Sequence, residues 1–136
     1  MGSPPPIRWA AVAAHASAAV AVIAVIAAAG RPVIWAGTVA FAGPLLVLAV
    51  ARRDPFAARH ARAAVRFNLA VAVYLVVIAV GLRVTPGSPY TIQFVPFLFL
   101  LNLLLAFNWL VFTAIAVQRA ATGQLWTYPM TPGRRH

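Results

Sequence analysis

Four apolar runs, residues 9–29, 33–51, 65–82 and 96–117, constrain the fold of this chain of 136 residues more than any other feature. A helix rises 1.5 Å per residue, so crossing a hydrocarbon core about 30 Å thick takes roughly 20 residues. Each run is near that length. Hydrophobic residues make up 63% of the sequence and charged ones 9%, more oil than a soluble domain of this size can bury. The expectation is an all-α membrane protein with four transmembrane helices, over about 8–29, 33–51, 55–82 and 95–120. They form a single integral membrane domain, 1–136, with no soluble module. A cytoplasmic amphipathic interfacial helix is expected to lead into the third crossing.

The punctuation between runs fits helical hairpins. The first run is too long for the apolar region of a signal peptide, and a second begins only three residues later, so it is expected to be retained. Between them, Gly30 can adopt the left-handed conformation that ends a helix, and Pro32 can start the next. Asp54 before Pro55 reads as a helix cap followed by the proline that first helical turns tolerate. Residues 83–95, with Pro86, Gly87 and Pro89, read as the one sizeable loop on the far side. Gly123 reads as the cap of the last helix, with Trp126 and Tyr128 at headgroup level.

Charge then orients the chain. With four crossings, Arg8, Arg52, Arg53, Arg59, Arg62, Arg66, Arg119, Arg134 and Arg135 share one side, leaving Arg31 and Arg83 on the other. That bias makes the arginine-rich side cytoplasmic and puts both termini there, in a bacterial plasma membrane. Arg59, Arg62 and Arg66 recur at helical spacing opposite Phe56, Ala57, Ala61, Ala64 and Val65. With Arg52 and Arg53 they are candidates for contact with anionic lipid headgroups or with a partner. Nucleic acid is not expected, because only Phe56 and Phe67 are near enough to supply the aromatic stacking such a surface uses.

Polar side chains inside the runs are costly in lipid and usually face another helix or a cavity. They are His15, Ser17, Thr38, Asn68, Tyr74, Asn102, Asn108 and Thr113. His15 and Asn68 are the intramembrane candidates. Asn102 and Asn108 project from different sides of their helix, so one is expected to meet a neighbouring helix and the other a second subunit or partner. His60 and His136 fall outside the runs, and spacing alone joins no three histidines into a metal site. With no cysteine and one carboxylate already committed to a cap, neither catalysis nor a metal nor a cofactor is expected. Alanines on the first run and Gly37 and Gly43 on the second predict a tight pair. The fourth run, rich in phenylalanine and leucine, offers its bulk to lipid or a partner.

The run Gly43-Pro44-Leu45-Leu46, then Arg53-Asp54-Pro55-Phe56, His60-Ala61, Ala64 and Phe67-Asn68, resembles bacterial relatives of the twenty-kilodalton Tic subunit of the chloroplast import translocon. His15-Ala16-Ser17 is similar to that family's His-Leu-Ser. The small residues at 116–120, with Gly123, Trp126 and Tyr128-Pro129, are similar to its closing pattern, so the resemblance covers residues 10–132. The family usually carries Asn-Phe-Gln where this chain has Arg66-Phe67-Asn68. The resemblance implies a small membrane protein whose chloroplast relatives are associated with protein import and whose bacterial members mostly lack an assigned activity. The expected function is a non-enzymatic accessory or scaffold subunit docking on an integral membrane partner; the alternative is a transport or translocon-like conducting component.

Overall fold

The computed structural model describes residues 8–30, 34–84 and 89–128. These residues form helix α1 (Trp9–Ala29), a 3-10 helix (Ile34–Val39), and helices α2 (Ala42–Val50), α3 (Pro55–Val84) and α4 (Pro89–Ala121). No strand occurs among the described residues. Three stretches are long and apolar enough to cross a membrane: Trp9–Ala29, Pro55–Gly81 and Phe94–Ala121. The all-helical membrane character expected from the sequence is therefore observed.

The helix ends follow the local chemistry. Gly30 closes α1 at φ 65°, donating its N–H to the Ala27 carbonyl, in the left-handed region where a Cβ is penalised. Asp54 caps α3: its Oδ1 accepts from the backbone N–H groups of Phe56 at 2.9 Å and Ala57 at 3.2 Å. Gly123, at φ 76°, turns the chain after α4, and Gln124 donates its N–H back to the Arg119 carbonyl at 2.8 Å.

Two segments differ from expectation. Where one helix is expected over 33–51, the chain forms the 3-10 helix, a turn at Ala40 and Phe41, and the nine-residue α2. Pro44 explains the break. It has no N–H for the Ala40 carbonyl, and its ring crowds that carbonyl, so it is accommodated only in the first turn of a new helix. The Ala40 N–H instead makes a 3-10 bond to Gly37, at 3.2 Å, and α2 starts with Leu45 bonded to Phe41 at 3.1 Å. The second difference is the loop expected over 83–95. Arg83 still belongs to α3, and α4 already begins at Pro89, with Pro96 inside it. Residues 85–88, including Pro86 and Gly87, lie outside the described residues.

Packing places small residues inside and large ones outside. Helix α1 touches every other element, presenting Ala11, Ala14 and Ala18 at helical spacing, all fully buried. Ala57, Ala61 and Ala64 of α3 and Ala116 and Ala120 of α4 are likewise buried. Leu103, Leu104, Phe107 and Leu110 of α4 face outward. The largest fully buried side chains are His15, His60, Asn68 and Pro44. This is the arrangement hydrocarbon favours: tails solvate leucine as well as a core does, so close backbone approach and buried polar bonds hold the helices together.

Candidate functional site

His15 lies six residues into α1 and His60 five residues into α3, each about 8–9 Å along its helix from the first residue. Both helices start at the arginine-bearing end, so the two imidazoles arrive at one depth. His15 Nε2 and His60 Nδ1 are 2.8 Å apart. Tyr128, carried back across this end by the Gly123 turn, places its hydroxyl 2.9 Å from His15 Nδ1. One proton on each neutral imidazole satisfies the chain in either sense: Tyr128 to His15 to His60, or the reverse. His60 Nε2 is the far end of the chain, buried and facing the Gln124 backbone.

Aromatic rings extend this network into a column. The Arg8 guanidinium sits 4.2 Å from the centre of the Phe56 ring, and Phe56 lies 4.6 Å from His60. At the other end Tyr128 stacks on Phe67 with ring centres 4.0 Å apart and planes 5° from parallel. Phe67 in turn meets Phe112 edge-on at 6.2 Å, and Trp126 covers the cluster. Helices α1, α3 and α4 are thus tied to the Tyr128 tail by rings or hydrogen bonds.

Burial pushes the ionisation of the Tyr128 hydroxyl upward from its ordinary value of 10. A phenol whose folded value exceeds its unfolded one contributes stability below about pH 10 and loses it as pH rises further. Thermal melts of the protein should therefore fall on an alkaline limb above about pH 10. Tyr128→Phe should lower the neutral-pH melting temperature and flatten that limb; an unchanged limb would sink the assignment.

The other polar candidates are placed as follows. Asn68 is buried, donates to the Ala64 carbonyl at 2.8 Å and accepts the Trp109 indole N–H at 2.7 Å, joining α3 to α4. Asn102 and Asn108 donate to their own helix, to Leu98 and Leu104, each at 2.8 Å. Neither is hydrogen-bonded to another helix among the described residues. A carbonyl four residues back has a spare lone pair, and in lipid that nearest acceptor satisfies an amide hydrogen at little cost. Arg52, Arg53, Arg59, Arg62 and Arg66 are all exposed. Arg119 bonds to the Gln124 side chain.

Sequence spacing did not join His60 or Tyr128 to His15. The usable indication was depth: both histidines sit in the second turn of helices that begin on the same side. His136 lies outside the described residues. Among the described residues no three histidine or acidic side chains come together as a metal would need. The arrangement is chemically a linear hydrogen-bond chain that joins α1, α3 and the tail after α4.

Fold and site together define a small helical membrane protein with a polar clasp at its arginine-bearing end. Residues 7–134 match the sequence model of the MamF/MmsF family, described as the magnetosome magnetite crystal formation protein family. The chain belongs to that family. No curated protein and no solved structure matches it. The match corrects the resemblance to the Tic subunit's relatives, for which nothing speaks. Helix-ending glycines, a capped Asp-Pro start and a small-residue first helix are what any tight membrane hairpin requires, so they carry little family information.

Proposed function

We propose that the chain acts in the magnetosome membrane as a small, non-catalytic accessory or scaffold subunit of the machinery that forms magnetite crystals, docked on a larger membrane complex. The family description supplies the process. The observation that carries the scaffold role is the division of the side chains. His15, His60 and Tyr128 bind one another, as do Asn68 and Trp109, while α4 leaves Phe97, Leu100, Leu104 and Phe107 outward as one broad apolar face. Such a face suits lipid or an integral membrane partner. The only acidic residue is spent as a helix cap, which suits a positioning role better than acid–base work.

In this proposal the segment 34–50 completes a fourth crossing, the first turns of α3 lie at the interface, and both termini are cytoplasmic. Arg52, Arg53, Arg59, Arg62 and Arg66 then rest on anionic headgroups, each worth about 1 kcal/mol. No carboxylate pairs with them among the described residues, so they remain available. The chain has no cysteine, and single cysteines test the topology. A membrane-impermeant thiol reagent added to whole cells retaining the protein in the plasma membrane should label exposed Ala29→Cys and spare exposed Thr122→Cys; the opposite pattern, or equal labelling, overturns it.

Docking is tested by photocrosslinkers at Phe97, Leu104 or Phe107 after mild detergent extraction of magnetosome membranes, with adducts identified by mass spectrometry. A defined membrane-protein adduct is expected. Recovery solely as uncrosslinked monomer at all three sites overturns the scaffold role.

A further inference from the structure

Helices α3 and α4 meet where Trp109 bonds Asn68 and Phe112 touches Phe67. Beyond that contact, away from the arginines, a slot of about 540 Å³ opens among α1, α3 and α4. Val22 and Ile26 of α1, Leu75 of α3 and Leu98, Asn102 and Trp109 of α4 line it. The wall is apolar apart from the Asn102 amide, whose NH₂ is already bonded to Leu98. Gly37 helps to set the shape of the wall: a Cβ there would lie 2.6 Å from Leu75 Cδ1.

The position of the slot identifies what fills it. Trp109 is ten residues from Arg119, about 15 Å along the helix, which puts it near mid-bilayer. Leu98 is eleven residues further, about 16 Å, close to the opposite headgroup level. The slot is therefore one leaflet deep, and the Trp109 indole, held by Asn68, forms its floor. A partner transmembrane helix running the full thickness of the membrane would meet that floor. A hydrocarbon chain, which ends at the bilayer midplane, would not. Water has no place against such a wall, and an unfilled void forfeits dispersion contacts on every side.

We infer that this slot is a binding site for one acyl chain of a phospholipid from the leaflet opposite the arginines. The site depends on the chain crossing the membrane and is independent of the accessory role, so crosslinking can fail while lipid binding stands.

Native mass spectrometry of the full chain, extracted in mild detergent, tests the site. One phospholipid should stay bound per chain. Ala106→Trp, which puts an indole into the slot from its lining, should lose it, whereas Ala114→Trp on the exposed part of α4 should retain it. Where Ala106→Trp does not fold, the wild-type protein is delipidated and reloaded with a dibrominated-chain phospholipid at one per chain, and its tryptophan emission should be quenched. The site is overturned by a wild-type protein that retains no lipid, by a well-folded Ala106→Trp that retains as much as wild type, by retained mass that proves to be polypeptide, or by reloading without quenching.

Discussion

His15→Ala should cost about 3–5 kcal/mol, the largest loss among single substitutions at the clasp, from a cavity plus the loss of two buried hydrogen bonds. His15 bonds His60 on one side and Tyr128 on the other, and its removal breaks both of these buried bonds at once. The loss would be read as a lowered midpoint in reversible unfolding from mixed micelles. Tyr128→Phe alone should cost less, because it keeps the ring stacked on Phe67 and leaves the His15–His60 bond in place. The double variant should cost clearly less than the sum, since both changes break the same relay. Strict additivity would mean that the tail and α1 are not coupled, and would remove the clasp from the account of the fold.

The second large effect is expected at Gly43. A Cβ there would lie 2.6 Å from the Ser17 carbonyl carbon and also against that carbonyl's oxygen. Both are backbone atoms of α1, so relief requires the two helices to part. Gly43→Ala should cost about 2–3 kcal/mol by overpacking. Gly37→Ala meets only the far end of the Leu75 side chain, which can rotate away, and should cost less than about 1 kcal/mol. Equal losses at the two glycines would show that α1 and α2 are not in close backbone contact. Ser17 belongs to the first apolar run and Gly43 to the second, so this ordering also tests the tight pairing predicted from their small residues.

The polar candidates show where one-dimensional inference stops. Asn68 was identifiable as an amide in an apolar run, but its partner Trp109, 41 residues away, was not. Asn102 and Asn108 look equivalent to Asn68 in sequence and make the same bond to the carbonyl four residues back, yet only Asn68 also accepts from another helix. The difference is whether an indole N–H from another helix comes within reach, which depends on helix rotation and not on residue type. The second apolar run is a similar case. Its composition reads as one crossing, and only the missing N–H of Pro44, acting on a particular carbonyl, divides it into a 3-10 helix and a short α-helix.

The Tic resemblance fails for a related reason. The residues behind the Tic resemblance are largely those that terminate, cap and closely pack membrane helices, and the same physics selects them in any tight membrane hairpin. The match over residues 7–134 rests on the chain as a whole.

The sequence by itself determined that this is a helical membrane protein, that glycines at 30 and 123 end helices, that Asp54 starts one, and that the arginines gather at one end. Those properties are local or compositional: hydrocarbon selects apolar length, and a cap needs only its own turn. The tertiary structure alone decided that His15, His60 and Tyr128 form one clasp, that Asn68 holds Trp109, and that α3 and α4 diverge into a slot. These depend on distances between residues far apart in the chain, fixed by how closely alanine and glycine surfaces let the helices approach.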